Sequence, residues 1–485
     1  MTIGNDGARA VAVDDGGCGL SADGPARLPA VAFRSIGCRT NQEEMFALRA
    51  ELSSRGFIVT DELDRADIIA VNTCSVTSLT ESKTGRFIKS LVRVNPGARI
   101  LVTGCFAQQH GEAVLKYPGV AWVVGNGDKH RIPEIISTRK QGSYLSGIDG
   151  NSRVFWEDKV LGPAESGRTR FSLKIQEGCG FGCAYCIVPS LRGPSRSAPR
   201  ALVVEQFRRA VDNGYREIVL TGTHIGQYGG GGRHTGVSQD VNAGGHPGAG
   251  LESLLEDLLK IPGDYRIRLS SLDPRDLTDG IMALAGSHPR VCDHLHVSVQ
   301  SLCPEVLELM GRPHRGVDKL AARLRGFRQK YPAAGLGADL IAGHPGETGA
   351  MFGAGLAAVE SVGFTYAHIF RYSKRLGTKA AEMAGQVDEP VKKKRSEALR
   401  ASVEKSRENF LSLLFGVSVI YIIAESEYPV RGVGGNYVRV ELPGLRLPKN
   451  SRVPVVLTGE VRGGYCVGKE CKPNVVLHNG DKESL

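Results

Sequence analysis

Lys174-Ile-Gln-Glu-Gly-Cys179-Gly-Phe-Gly-Cys183-Ala-Tyr-Cys186-Ile-Val-Pro-Ser-Leu-Arg192 is the stretch on which the reading of the chain turns. The residues leading into it, 171–176, have the length and alternation of a strand, and three cysteines then follow within eight residues. Three thiolates on one loop can wrap a single soft metal centre. A structural zinc wants a fourth protein ligand at a matching spacing, and none stands nearby. Three ligands suit a [4Fe–4S] cluster with one iron left open. Tyr185 and Ile187 flank the last thiolate with apolar bulk.

Downstream the pattern repeats as strand then helix. Strand candidates at 171–176, 217–220, 266–269, 294–299, 337–341 and 367–370 make six β/α units, a partial (β/α)6 barrel over 170–389 with its chemistry at the carboxyl ends of the strands. A Gly-rich stretch at 229–250 interrupts it and reads as a surface insertion, with His234 and His246 as weak candidates for a metal. Residues 390–414 read as a connecting helix whose Lys392, Lys393, Lys394 and Arg395 form a solvated face. Short β-type runs at 417–423, 437–441 and 453–457 place a small β-barrel over 415–478.

Upstream, residues 30–135 read as an open parallel α/β domain. Its strands are expected at 31–36, 67–71 and 99–102 and its helices at 44–54 and 81–93. A polar connector at 136–169 separates it from the barrel, and residues 1–29 read as a disordered extension. Three more cysteines, Cys38, Cys74 and Cys105, each lie just past one of those strands. In a parallel sheet all three ends fall on one edge, where open α/β sheets hold ligands, so a second metal–thiolate site is expected despite the scattered spacing. The alternative is that these are buried apolar cysteines. Cys18 falls in the extension, Cys292 and Cys303 flank a barrel strand and read as packing, and Cys466 and Cys471 have no second pair to complete a zinc site.

Composition narrows the class. The 485 residues are 41% hydrophobic and 23% charged, a globular balance that makes roughly three domains of ~150 residues. Lys and Arg outnumber Asp and Glu by 61 to 51, which favours a polyanionic partner. The odd count of eleven cysteines argues against a disulfide framework. No run reaches the ~18 apolar residues of a membrane span, and the first thirty residues show no secretory pattern. A cytoplasmic protein with no membrane partner is expected.

The motifs resemble the radical S-adenosylmethionine methylthiotransferases. The likeness lies in 174–196 together with Ile36-Gly-Cys38-Arg-Thr-Asn-Gln42, Asn72-Thr-Cys74-Ser-Val-Thr77 and Val102-Thr-Gly-Cys105-Phe-Ala-Gln108. It continues in Leu269-Ser-Ser-Leu-Asp-Pro274, Asp339-Leu-Ile-Ala-Gly-His-Pro-Gly-Glu-Thr348 and Tyr372-Ser-Lys-Arg-Leu-Gly-Thr378, so that it spans about residues 31–470. Residues 37–42 are closest to the branch that converts N6-threonylcarbamoyladenosine at tRNA position 37 to its 2-methylthio form. The resemblance implies two [4Fe–4S] clusters, one on Cys179, Cys183 and Cys186 and an auxiliary one on Cys38, Cys74 and Cys105. It further implies S-adenosylmethionine held by Tyr185, Thr221, Gly222, Ser271 and Gln300, with Ser270 beside them.

The terminal barrel is similar to the RNA-binding TRAM domain, with Arg431, Arg439 and Arg446 as candidate RNA contacts. Implied partners are the tRNA anticodon loop and a low-potential electron donor such as flavodoxin or ferredoxin. The other readings are the isopentenyladenosine branch, the branch acting on a ribosomal-protein aspartate, and a non-catalytic Fe–S RNA-binding protein. The chain departs from the family pattern at Val297-Ser298-Val299, where Ile-Pro-Val is usual. It departs again at Ser301-Leu302, at His344 in place of a common Phe, and in the long insertion.

Overall fold

The structure, a computed structural model, describes residues 28–75, 78–150, 152, 160–230 and 249–471. Cys18, His234, His246 and nearly all of the expected extension lie outside the described residues.

The first sheet has six strands: β1 (Ala30–Ser35), β2 (Ile58–Thr60), β3 (Ile68–Thr73), β4 (Arg99–Gly104), β5 (Val120–Val124) and β6 (Gly142–Tyr144). Their order is β2-β1-β3-β4-β5-β6, all parallel. Central β3 is buried along its whole length, as a strand covered on both faces must be. Helices Arg39–Ser54 and Ser78–Val94 are longer than expected and begin close to the strand ends they follow. The expected connector is corrected in part: Gly142–Tyr144 closes the far edge of the sheet by pairing with β5. An edge strand of three residues needs only one neighbour and shows no apolar run to read.

Next come β7 (Phe171–Glu177), the two-residue antiparallel β8 (Arg196–Ser197), β9 (Glu217–Gly222), β10 (Arg266–Leu269), β11 (His294–Gln300), β12 (Gly335–Ala342) and β13 (Tyr366–Arg371). β7, β9 and β10 pair in parallel, as do β11, β12 and β13, and a parallel bridge between Leu272 and Val297 joins the two halves. One face of each strand packs on helices: Leu173, Ile175, Leu220, Ile267, Leu295, Val297 and Leu340 share a core with Phe207, Leu254, Leu258 and Leu324. Because side chains alternate along a strand, Lys174, Glu217, Arg266, Arg268, His296 and Asp339 face the lumen. A parallel barrel lined by so much charge is a site, not a packed interior.

The helix Glu389–Leu414 leads to five antiparallel and parallel strands closed into a barrel: β14 (Val419–Ala424), β15 (Val430–Gly434), β16 (Arg439–Leu442), β17 (Arg452–Arg462) and β18 (Tyr465–Glu470). The basic run at the helix start is not uniformly solvated. Lys393 and Lys394 are exposed, while Lys392 lies buried over the Tyr372 ring and Arg395 donates to Glu347 Oε2 at 2.7 Å. Helical period puts residues 392, 395, 396 and 399 on one face, and that face covers the barrel strands. The turn between β15 and β16 plugs the base of the lumen. Arg268 donates to the carbonyls of Gly434 and Gly435, both at 2.9 Å, and Tyr437 stacks on Tyr366 at 4.8 Å.

Candidate active site

Cys38, Cys74 and Cys105 sit at the carboxyl ends of β1, β3 and β4, three adjacent strands in register through Ser35–Asn72 and Thr73–Gly104. The glycine before Cys38 allows the approach: Gly37 has φ +134°, and a Cβ there would lie 2.4 Å from Cys74 Cβ. Gly104, φ +97°, is as constrained, since its Cβ would meet Asn72 Oδ1. Asn41 ties the cluster of loops together, accepting from Cys38 Sγ at 3.3 Å and donating to the Thr73 carbonyl at 2.9 Å. Cys74 and Cys105 are buried and Cys38 is open to solvent.

The second trio follows β7. Cys179 Sγ lies 3.7 Å from His224 Nδ1, whose other nitrogen is 2.6 Å from Asp276 Oδ2. Cys183 Sγ is 3.6 Å from Arg312 Nη1, and the Cys186 amide donates to the Cys183 carbonyl at 3.1 Å. Burial pushes the Cys186 thiol up to about 12, with Cys183 and Cys179 adding to the rise. A thiolate there needs a compensating positive charge, which a bound iron centre supplies. Neither trio gathers its three sulfurs within 4.8 Å of one another, as ligands of a single ion would be; among the described residues only His296, Asp339 and His368 do. Three sulfurs spread wider than the ligands of one ion fit an iron–sulfur cubane with an open iron.

The first trio meets the loop of the second at Cys105. Cys105 shares an apolar contact cluster with Ile187 and Leu191, the residues just past Cys186, and Asn126 donates to the Leu191 carbonyl at 2.7 Å. A buried ionic network locks this arrangement. Arg192 donates to Asn41 Oδ1 (2.7 Å), Glu44 Oε1 (2.9 Å) and Glu177 Oε1 (2.7 Å), while Lys174 bonds Glu44 at 3.0 Å and Lys129 pairs with it too. Burial alone would raise these carboxyls, but Arg192 and the lysines override it and hold Glu177 down to about 2 and Glu44 well below the usual range. On the other side Arg375 donates to Ser75 Oγ at 2.8 Å and Gln109 Oε1 at 3.1 Å. Neither network was anticipated, although Asn41, Lys174, Glu177, Arg192 and Arg375 all stand inside the quoted motifs. Their partners lie up to 300 residues away.

The remaining expected site residues divide by place. Thr221, Gly222, Ser271 and Gln300 stand at the carboxyl ends of β9, β10 and β11, on the rim that carries the Cys179 loop. Gln300 holds φ +64° at a register shift in β11, an unusual conformation for a residue with a side chain. Tyr185 is held by Arg312 at 3.5 Å and meets the His344 ring edge-on at 6.3 Å. In the terminal barrel Arg431, Arg439 and Arg446 are all exposed, and Arg431 pairs with Glu441 at 2.7 Å.

A lumen with three cysteines on the loop after its first strand defines a radical S-adenosylmethionine enzyme, and the comparisons agree. Residues 173–354 match the Radical SAM superfamily and residues 30–125 match the Uncharacterized protein family UPF0004. The chain is 38% identical over 78% of its length to the threonylcarbamoyladenosine tRNA methylthiotransferase MtaB of Thermotoga maritima, covering 82% of that protein, and 34% identical over 85% to that of Bacillus subtilis, covering 90%. It is 32% identical over 88% to a tRNA-2-methylthio-N(6)-dimethylallyladenosine synthase of Cereibacter sphaeroides, covering 96%. In fold it is similar to the radical S-adenosylmethionine methyltransferase TsrM of Kitasatospora setae, with TM-score 0.51, 14% identity, and coverage of 73% of this chain and 77% of that one. The chain belongs to the radical S-adenosylmethionine methylthiotransferase family, whose enzymes use S-adenosylmethionine and two [4Fe–4S] clusters. No helix among the described residues is long and apolar enough to cross a membrane.

Proposed function

We propose that the protein transfers a methylthio group to C2 of N6-threonylcarbamoyladenosine at position 37 of tRNA in the cytoplasm. The observation that carries this reading is the contact of Cys105, from one proposed trio, with Ile187 and Leu191, which closely follow the other in sequence. Cys179, Cys183 and Cys186 would hold the cluster that binds S-adenosylmethionine, and Cys38, Cys74 and Cys105 the auxiliary cluster. When bound, these groups supply the one-electron chemistry that activates an adenine C–H bond and the sulfur that replaces it.

The protein's own part is position and exclusion. Arg312, fixed by Asp273 Oδ2 at 2.7 Å and by the Ser298 carbonyl at 2.8 Å, places a cation against Cys183 and the Tyr185 hydroxyl. Tyr185, Thr221, Gly222, Ser271 and Gln300 form the rim proposed to hold S-adenosylmethionine. Gly222 admits no side chain because its Cβ would fall 2.7 Å from the Gln176 carbonyl, which leaves backbone groups free to face a ligand. The Arg192 network keeps the first trio over that rim. Arg439 and Arg446, with Arg431, are proposed to meet the phosphates of the anticodon arm, and a flavodoxin or ferredoxin to deliver the electron.

Nucleoside mass spectrometry of tRNA from a deletion strain tests the reading. Loss of the methylthio form of threonylcarbamoyladenosine, with methylthio-isopentenyladenosine intact, is expected. Intact tRNA beside an unmodified ribosomal-protein aspartate would overturn it.

A further inference from the structure

We propose that Arg39 is a specificity-determining residue whose guanidinium receives the carboxylate carried on N6 of the substrate adenosine. This rests on the substrate reading above and names the group that reads it. Arg39 follows Cys38 directly and opens the helix Arg39–Ser54. Its Nη2 donates to the Tyr437 hydroxyl at 3.4 Å. Among the described residues no carboxylate is ion-paired with it, and Glu43, one turn on, bonds Arg168 at 2.9 Å instead. A half-buried guanidinium with one nitrogen on Tyr437 and no carboxylate ion-paired to it among the described residues is a receptor for a planar anion.

The wall opposite offers hydrogen-bonding groups. The Tyr366 hydroxyl lies 2.8 Å from His294 Nε2 and from His296 Nδ1. His296 Nε2 and His368 Nδ1 stand 3.0 and 3.1 Å from Asp339 Oδ1, and Ser298 Oγ donates to Asp339 Oδ2 at 2.7 Å. The Ser298 carbonyl accepts from Arg312, which reaches Cys183, so this wall runs up to the second trio. Burial raises the Tyr366 phenol well above its usual range, and both Asp339 and Arg39 are close enough to act on it. Arg39 and this wall meet at one stacked pair of tyrosines, since Arg39 bonds Tyr437 and Tyr437 stacks on Tyr366.

Besides the wall's own carboxylate, Asp339, two knots of charge in the lumen hold more cations than ion-paired carboxylates. At its base Arg170, Arg266 and Arg268 share Glu217 and Glu425, three cations against two carboxylates. Higher up Lys129, Lys174 and Arg192 share Glu44 and Glu177, again three against two. Arg39 adds a further unpaired charge. A threonylcarbamoyl group supplies a carboxylate, a hydroxyl and a ureido unit to such a site. An isopentenyl group supplies none, and would desolvate Arg39 with no bond in return, which is how a polar site rejects an apolar analogue.

The test uses the full chain with both clusters reconstituted and anticodon stem-loop RNAs carrying threonylcarbamoyladenosine either as the free acid or as its neutral carboxamide. The wild type is expected to show a KM at least about tenfold higher for the carboxamide. Arg39→Gln is expected to raise KM for the acid by a similar factor and to lose the discrimination, with Arg39→Lys between the two. Iron and sulfide content shows whether a variant has kept its clusters, and if Arg39→Gln loses them the wild-type comparison alone decides. A wild type that modifies acid and carboxamide with equal KM, or an Arg39→Gln protein that still discriminates, overturns the assignment while leaving the substrate reading in place. A wild type that modifies neither, yet modifies an isopentenyladenosine RNA, overturns both.

Discussion

The two cysteine trios, proposed to hold one cluster each, are assembled by opposite routes. Cys179, Cys183 and Cys186 need one loop after one strand, and any chain that carries the loop carries the site. Cys38, Cys74 and Cys105 need three strands in register, two glycines in left-handed conformations, and a helix start at Arg39. The first is a local property of the sequence and the second a property of the fold. A dispersed site is therefore the more easily lost when the sheet or its junction with the barrel is disturbed.

The largest effects separate the trios by chemistry. Cys183→Ala is expected to abolish reductive cleavage of S-adenosylmethionine and, with it, product formation. Cys105→Ala is expected to abolish methylthio product, by a factor of at least about 10³, while cleavage to 5′-deoxyadenosine continues. Both are read by chromatography of the nucleoside products, and equal loss of cleavage in the two variants would erase the distinction.

Arg192 sharpens the comparison because it belongs to both sides. Arg192→Ala leaves Glu44 and Glu177 buried against the lysines alone, at a cost of about 3–5 kcal/mol in denaturant unfolding. Its damage should fall first on the dispersed trio, since Asn41 loses its guanidinium partner while the Cys179 loop keeps its own hydrogen bonds. Stepwise iron release under chelator, faster for one cluster than the other, is the expected signature.

The ionic joint at the base of the lumen gives the control. Burial would raise the Glu217 carboxyl, but Arg268, Arg266 and Arg170 hold it well below the usual range. A carboxyl depressed in the fold stabilises above its unfolded pKa of about 4.3 and loses that contribution as pH falls below it. Glu217→Gln should destabilise the protein at pH 7 and flatten the fall in urea midpoint between about pH 5 and 3, with no preference between clusters.

The smallest effect is at His344, fully buried with no hydrogen-bond partner for Nε2 among the described residues and its pKa pushed down by burial to about 4. Because the fold holds the neutral ring, stability is lost as pH falls from about 6.5 towards 4. His344→Phe should remove that loss and leave stability at pH 7 within about 1 kcal/mol, or raise it, in thermal unfolding.

The sequence foretold what local spacing encodes. The Cys179 loop, the six barrel strands and the strand-end positions of the other three cysteines were all legible, since period-2 apolar runs and nearby thiols need no knowledge of partners. Edge strands β2 and β6 were not, being three residues each with one neighbour to satisfy. Burial of Lys392 and Arg395 was hidden because a basic run looks the same whether its face meets water or the back of a barrel. The pairing of Arg192 with Glu44 was hidden by a sequence separation of 148, though both lie near cysteines already singled out.

Iron and acid-labile sulfide per chain, with Mössbauer spectra, test the central claim of two separately built cluster sites most directly. Anaerobically reconstituted wild type is expected to hold about eight of each, and the variant with Cys38, Cys74 and Cys105 all changed to Ala about four, in a single cubane on the remaining trio. About four in the wild type, or about eight surviving in the triple variant, would contradict it.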